Sequence, residues 1–309
     1  MKIVILDRKT LGNDVNVDIF EQFGEVVIYD ITKENQTKER VKDADIVITN
    51  KVVISKEVMQ DSKLKLICIS ATGKNNVDLD YAKQKGIEVK NVAGYSSSSV
   101  SQVAFSMIFH FVSKLNYYKN YVDEGNWQKS EIFTHIDKPF FELDNKRVGV
   151  IGLGDIGSSF AARARAFDCE VVYYSTSGRN NNSEYRRVEL DELLKTCDII
   201  SIHCPLNEQT KDLLNYENMK NMKDGAILLN LGRGGIINED DLGKLIDEKD
   251  IYCGIDVVNV EPIEESNPLL KVKNKDRLLL TPHIGWASVE ARTRLIKMVS
   301  QNIQDFLKN

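Results

Sequence analysis

Proline and glycine are scarce, at 5 and 18 in a chain of 309 residues. That is too few for a collagenous or low-complexity protein. Cysteine is sparse as well. Cys68, Cys169, Cys197, Cys204 and Cys253 are odd in number, scattered and free of any C-x-x-C pair, which excludes a disulfide scaffold. Most of them lie in apolar runs such as Leu66-Ile67-Cys68-Ile69, where a thiol behaves as a small hydrophobe. Long hydrophobic runs are missing: none approaches the ~18 residues of a membrane span. The apolar stretch at residues 3–6 is also far shorter than a signal-peptide core. Basic charge is not in excess, since 41 Lys+Arg against 46 Asp+Glu leave a net −5. Nucleic acid and anionic membranes call for a basic stripe, so neither is an expected partner. No His, Cys or Asp cluster has metal-ligand spacing, and no metal is expected. These absences predict a reduced, cytoplasmic protein.

What remains is ordinary globular material, 42% hydrophobic and 28% charged, long enough for about two domains. Short apolar runs alternate with helical stretches. Residues 3–6, 26–29, 46–49, 66–70 and 88–92 read as strands, with helix formers at 33–41 and 79–85 between them. Such alternation predicts parallel sheets covered by helices. It breaks at one long helical run from Ser97 to about Asp123, followed by an irregular aromatic stretch from Trp127 to Phe141. A second series opens at Arg147, with strands at 148–151, 170–174, 199–203, 226–230, 252–256 and 278–280. The last segment, 288–307, places Leu295, Ile296, Val299, Ile303 and Phe306 on one helical stripe. The pattern predicts two α/β domains, with the C-terminal helix returning to the first.

The second series begins Val148-Gly149-Val150-Ile151-Gly152-Leu153-Gly154-Asp155-Ile156-Gly157. This is strand, then G-x-G-x-x-G, then helix, which is the context that turns a glycine motif into a dinucleotide fingerprint. Gly152 serves the tight turn, Gly154 the approach of a pyrophosphate, and Gly157 the close packing of helix on strand. One element departs from the rule. The acid that would hold the ribose hydroxyls is absent where Tyr174 runs into Ser175-Thr176-Ser177-Gly178-Arg179. That weakens the preference for NAD over NADP, not the nucleotide site.

Three features stand at carboxyl ends of predicted strands, where open parallel sheets bind ligands. Arg233 lies among glycines in Asn230-Leu231-Gly232-Arg233-Gly234, and its fork matches a carboxylate; a solvated loop arginine is the competing reading. Glu261 precedes Pro262 and is either the partner of a base or a plain loop acid. His283, in Thr281-Pro282-His283-Ile284-Gly285, is the one histidine of four that follows an apolar strand in a turn. His110 falls on a helix, His135 in the aromatic stretch, and His203 before Cys204-Pro205. An arginine, a glutamate and a histidine at neighbouring strand ends suit ketone–alcohol redox chemistry.

With these motifs in place the chain resembles the D-isomer-specific 2-hydroxyacid dehydrogenase family over essentially its whole length. Within the family it is most similar to the glycerate dehydrogenase, or hydroxypyruvate reductase, branch. The tail from Thr281 to Arg292, Thr49-Asn50-Lys51 and Ala71-Thr72-Gly73-Lys74-Asn75-Asn76-Val77-Asp78 carry that closer likeness. The resemblance implies a flavodoxin-like substrate domain of residues 1–98 plus 288–309 and a Rossmann-type NAD(P)-binding domain of residues 99–287. It further implies an active site in the cleft between them.

It makes Arg233 the substrate clamp, His283 the acid/base and Glu261 its partner. Gly152, Gly154, Asp155, Ile156, Gly157, Ser175, Pro205 and Thr210 become nucleotide contacts, and Leu231, Gly232, Asp256 and Gly285 hold the nicotinamide. Thr72 and Gly73 would meet the substrate carboxylate, while Lys51 steers a distal hydroxyl or is an exposed loop lysine. The implied activity is hydride transfer between NAD, or NADP, and a small 2-oxo acid, with hydroxypyruvate/D-glycerate or glyoxylate foremost. A D-lactate-type reductase and a non-catalytic dinucleotide sensor of the same fold are the alternatives. Finally, the helix around residues 100–115 and the aromatic stretch imply a homodimer formed through the cofactor domains.

Overall fold

Residues 46–49 and 66–69 are buried at every position, as parallel strands covered on both faces must be. In the computed structural model, which describes residues 1–308, they belong to the first of two compact units. That unit comprises Met1–Ser96 and the chain from Ala287 onward; the second is Ser97–Trp286.

The first unit runs β1 (Lys2–Ile5), β2 (Glu25–Ile28), α1 (Glu34–Val41), β3 (Ile46–Thr49), α2 (Lys56–Met59), β4 (Leu66–Ile69), α3 (Leu79–Gln84) and β5 (Glu88–Lys90). All pairings are parallel, in the order β2-β1-β3-β4-β5. This is the flavodoxin-like doubly wound order. Val4, Val47, Ile67, Ile54, Met59 and Ala82 form its core on one face of the sheet.

The second unit starts with α4 (Ser97–Ser113) and α5 (Leu115–Asp123). It continues through β6 (Arg147–Ile151), α6 (Asp155–Ala166), β7 (Glu170–Tyr174), β8 (Arg186–Arg187), α7 (Leu190–Thr196) and β9 (Ile199–Ile202). After these come α8 (Tyr216–Met219), β10 (Ala226–Asn230), α9 (Glu239–Glu248), β11 (Ile251–Ile255) and β12 (Leu278–Leu280). The sheet is wholly parallel and ordered β12-β11-β10-β9-β6-β7-β8. Read from β8 inward, that is the Rossmann order with one added strand, and the winding reverses between β6 and β9. Finally α10 (Val289–Lys308) belongs to the first unit, where Arg292 donates to Leu11 O at 2.8 Å and Asp14 Oδ2 at 2.7 Å. The Arg292 guanidinium holds the Asp14 carboxyl down at about 2.

Two expectations are corrected. The run from Ser97 to Asp123 is two helices, because Lys114 adopts φ +52° and leaves the right-handed region. Apolar periodicity persists across such a break, so the sequence hides it. The edge strand Arg186–Arg187 also escaped the periodicity, being two residues long and exposed at both. The aromatic stretch holds a single short turn at Trp127–Lys129, and Ile132, Phe133, Ile136, Phe140 and Phe141 are exposed, Phe133 at 89%.

All five thiols are buried and unpaired. Desolvation pushes Cys68 and Cys197 up to about 12 and Cys169 and Cys204 to about 11. They are neutral packing groups. Among the described residues no helix is long and apolar enough to cross a membrane.

Candidate active site

A parallel sheet places all its carboxyl ends along one edge, and in the second unit that edge collects the predicted residues in spatial order. His283 follows β12, Asp256 β11, Leu231–Arg233 β10, Cys204-Pro205 β9, the glycine loop β6 and Ser175 β7. His283 and Asp256 stand at one end, and the glycine motif straddles the winding reversal, where the switch-point rule places ligands.

The glycine loop has the geometry of a dinucleotide cradle. Gly152 sits at φ +92°, and a Cβ there would lie 2.7 Å from the Cys204 backbone. At Gly157 a Cβ would lie 2.2 Å from Gly152 O, so only hydrogen lets α6 approach β6. A Cβ on Gly154, by contrast, would meet nothing within 4 Å, so the space beside the loop is open. Helix α6 begins there with Asp155 and Ile156, its positive end at the loop. Ser175 is 5% exposed and its Oγ accepts the Asn180 N–H at 3.4 Å. Asn180 Nδ2 in turn donates to Leu153 O at 2.5 Å, tying the turn after β7 to the glycine loop. No carboxylate occurs in residues 175–183, and Arg187 Nη1 donates to Gly178 O at 2.9 Å. The residues present therefore fit a nucleotide, and their hydroxyls and guanidinia fit a ribose phosphate as well as a ribose.

Thr210, expected at the nucleotide, holds the loop after β9. It is fully buried, and its hydroxyl donates to Pro205 O at 2.7 Å and accepts the Asn207 N–H at 2.8 Å. It shapes its own loop, and Pro205 is the exposed member.

At the other end Asn230 closes β10. Only 2% exposed, it donates from Nδ2 to Arg233 O at 2.9 Å and accepts the Gly232 N–H at 3.1 Å. One buried amide thus fixes the backbone from Leu231 to Arg233. The Arg233 side chain is exposed, with Nη1 donating to Gly232 O at 2.8 Å. That leaves most of the five guanidinium N–H groups to meet an anion.

Asp256 ends β11 at 3% exposure. Its Oδ1 accepts from Thr281 Oγ1 at 2.6 Å and the Ile284 N–H at 2.8 Å, and its Oδ2 accepts the Gly285 N–H at 2.8 Å. The Asp256 carbonyl accepts the His283 N–H at 2.9 Å. These bonds hold His283 at φ +52°, a left-handed conformation that a histidine rarely adopts unaided. The carboxylate expected at the nicotinamide is therefore also the scaffold of the histidine turn. Gly285 is buried, its N–H given to Asp256 and its carbonyl accepting from Ser99 Oγ at 2.6 Å.

The central contact is His283 Nδ1–H donating to Glu261 Oε2 at 2.6 Å. Glu261 Oε1 accepts the Val258 N–H at 3.2 Å, so the carboxylate is itself oriented. With Nδ1 engaged, Nε2 is the nitrogen left to exchange a proton with a ligand. The other histidines have structural places. His203 packs on Phe160 at 5.2 Å, hydrogen-bonds Ser201 Oγ at 2.9 Å, and is driven down to about 3 by desolvation. His135 stacks on Tyr121 at 3.7 Å, and His110 is a helix residue whose pKa burial lowers.

In the first unit, Lys51 follows β3 and Thr72 and Gly73 follow β4. Thr72 Oγ1 donates to Val92 O at 3.2 Å, and its carbonyl accepts from Asn91 Nδ2 at 2.7 Å. In the sequence Asn230 stands out only as the start of the Asn230-Leu231-Gly232-Arg233 motif. A polar residue closing an otherwise apolar strand is the signal that marks its clamp.

Comparison with known proteins agrees with this geometry. Residues 105–285 match the model of the D-isomer specific 2-hydroxyacid dehydrogenase NAD binding domain. A hydroxypyruvate reductase of Blautia hydrogenotrophica is 39% identical, covering 100% of this chain and 97% of that protein. A glycerate dehydrogenase of Methylorubrum extorquens is 33% identical over 99% and 96%. Among solved structures, a D-lactate dehydrogenase from Aquifex aeolicus complexed with NAD and lactic acid superposes with a TM-score of 0.83 at 26% identity, covering 100% and 96%. An acyclic imino acid reductase in complex with NADPH and D-Arg gives 0.86 at 28%, covering 100% and 97%. An oriented His–Glu pair, an arginine at the end of β10 and a glycine cradle on the same sheet edge complete the picture: the chain belongs to the D-isomer-specific 2-hydroxyacid dehydrogenases, NAD(P)-dependent oxidoreductases.

Proposed function

We propose that this enzyme reduces hydroxypyruvate to D-glycerate, with glyoxylate as a second substrate. The observation that carries the chemistry is the 2.6 Å contact of His283 with Glu261. The names of the hydroxypyruvate reductase and glycerate dehydrogenase relatives support the substrate. When bound, the reduced nicotinamide supplies the hydride that reaches the keto carbon. Negative charge then collects on the keto oxygen, and the proton on His283 Nε2 passes to it. Glu261 holds the ring through Nδ1 and stabilises the positive charge that the imidazolium carries before transfer. Arg233 grips the substrate carboxylate through paired N–H donors and stabilises the developing oxyanion. The backbone at Thr72 and Gly73 is assigned to the carboxylate and Lys51 to the C3 oxygen. Leu231, Gly232, Asp256 and Gly285 are assigned to the nicotinamide, and Gly152, Gly154, Asp155, Ile156, Gly157, Ser175 and Pro205 to the rest of the dinucleotide. A panel of hydroxypyruvate, glyoxylate, pyruvate and phosphohydroxypyruvate with NADH and NADPH tests the reading. The highest kcat/KM is expected for hydroxypyruvate; a higher value for pyruvate transfers the enzyme to a lactate-type role.

NADPH is expected to serve alongside NADH. An acid at the end of β7 would repel a 2′-phosphate, and none is there. A charge-selective site discriminates by several kcal/mol, at ~1.4 kcal/mol per tenfold. Without one, the preference between NADH and NADPH stays below ~100-fold, and Ser175→Asp shifts it toward NADH. Competing kcat/KM values for the two cofactors measure this; a wild-type preference for NADH above ~10³-fold contradicts it.

The assembly is read as a two-fold homodimer formed by the second unit, the commonest closed symmetry. The exposed set Trp127, Ile132, Phe133, Ile136, Phe140 and Phe141 is more apolar surface than scattered surface residues explain. Light scattering at micromolar concentration should give twice the 35.1 kDa chain mass; a monomer mass contradicts it. Five buried, unpaired thiols suit a reducing compartment such as the cytoplasm.

A further inference from the structure

The carboxylate of Asp7 belongs to no part of the chemistry described so far, yet it is charged and only 6% exposed. It stands two residues beyond β1 and accepts the Asn50 N–H at 3.0 Å on each oxygen. Its Oδ2 also accepts the Lys51 N–H at 2.7 Å, the Val52 N–H at 3.3 Å and the Thr49 hydroxyl at 3.3 Å. Three successive amides converge on one side chain, so the turn after β3 is an anion-binding concavity filled from within its own unit. Burying a charge is costly unless it is hydrogen-bonded, and here the bonds that satisfy Asp7 also fix the backbone of Lys51.

The place of this clamp has a meaning in the topology. From β1 the chain passes to β2 on one side and returns to β3 on the other, so β1 and β3 flank the switch point at which doubly wound sheets bind ligands. Two cavities open there, of ≈ 360 and ≈ 470 Å³, and Lys51 and Val52 line both. Asp7, Lys9, Thr10 and Thr32 line the larger. Lys51 thus stands at open space beside the switch point while its main chain is locked by a buried acid.

We propose that Asp7 is a positioning residue that sets Lys51 for the C3 oxygen of the substrate, so that the pair determines the preference for hydroxypyruvate over glyoxylate. This rests on the function proposed above. Glyoxylate has no C3 and no oxygen for the ammonium group to reach. Hydroxypyruvate has a hydroxyl there, able to accept a charge-assisted hydrogen bond.

The test compares kcat/KM for the two acids in the full-length enzyme with NADH, for wild type, Lys51→Met, Asp7→Asn and the double variant. Each single change is expected to lower the hydroxypyruvate/glyoxylate ratio by ~10-fold, the scale of one hydrogen bond to a charged group. The loss should lie in KM for hydroxypyruvate and exceed any change in KM for glyoxylate. The double variant should be no worse than Lys51→Met alone, the non-additivity of residues that act through one another. If Asp7→Asn does not fold, Thr49→Val, which loses one arm of the clamp, decides instead: it should lower the same ratio. A ratio shifted by Lys51→Met but by neither Asp7→Asn nor Thr49→Val overturns the role of Asp7 and leaves the substrate reading standing. A ratio unmoved by Lys51→Met overturns the inference at its contact residue. Wild-type enzyme without turnover on either acid overturns the function itself.

Discussion

Replacing His283 with alanine lowers kcat for hydroxypyruvate by at least ~10²-fold, the usual contribution of a positioned general acid. The dissociation constant for NADH stays within a few-fold of wild type. The two halves of this expectation come from different parts of the sheet edge. His283 follows β12, and the glycine cradle after β6 stands four strands further on, past β11, β10 and β9. Removing the imidazole takes away the proton without touching the turn at Gly152. Glu261 stays oriented by the Val258 N–H. Steady-state kcat and direct NADH titration check the claim, and near-normal turnover in His283→Ala would remove the residue from the mechanism.

Arg233 gives the second large effect. Its guanidinium is asked to do two things, to bind the substrate carboxylate and to stabilise charge on the keto oxygen. Hydrogen bonds to charged groups contribute ~1.5–3 kcal/mol each, and one oxyanion donor ~10²-fold in kcat. Arg233→Ala should therefore lose ~10³-fold in kcat/KM, with KM raised and kcat reduced together. Arg233→Lys keeps the charge and loses the planar fork, so it should recover only part of that loss. Full recovery by lysine would show that a point charge suffices and that the paired geometry is not used. Because Asn230 fixes the backbone of Leu231–Arg233, neither substitution should lower the thermal midpoint by more than a few degrees.

The sequence was most legible where structure follows from short-range pattern. Buried parallel strands announce themselves as apolar runs, so β3, β4, β9 and β10 could be read directly. Each is buried at every position. The glycine loop was legible for the same reason, since the clash that a Cβ would make at Gly157 is with a residue five positions away. The functional candidates emerged because a polar residue just beyond an apolar strand has little packing to do.

What stayed hidden depends on long-range pairing. Asp256 reaches Thr281, Ile284 and Gly285 across 25 to 29 positions, and Asp7 reaches Asn50 across 43. Nothing local distinguishes a carboxylate that accepts three amides from one that faces water. The bond from the Thr210 hydroxyl to Pro205 O is equally hidden, since a motif match does not show which turn a hydroxyl closes. The helix break at Lys114 was invisible because one left-handed residue leaves the apolar spacing on either side intact.

The most direct test of the central claim is the chirality of the product formed when the wild-type enzyme oxidises NADH in the presence of hydroxypyruvate. Stoichiometric conversion to D-glycerate is expected, with hydride delivered to one face of a keto acid held by Arg233 and protonated by His283. No NADH consumption, or formation of L-glycerate, would contradict it.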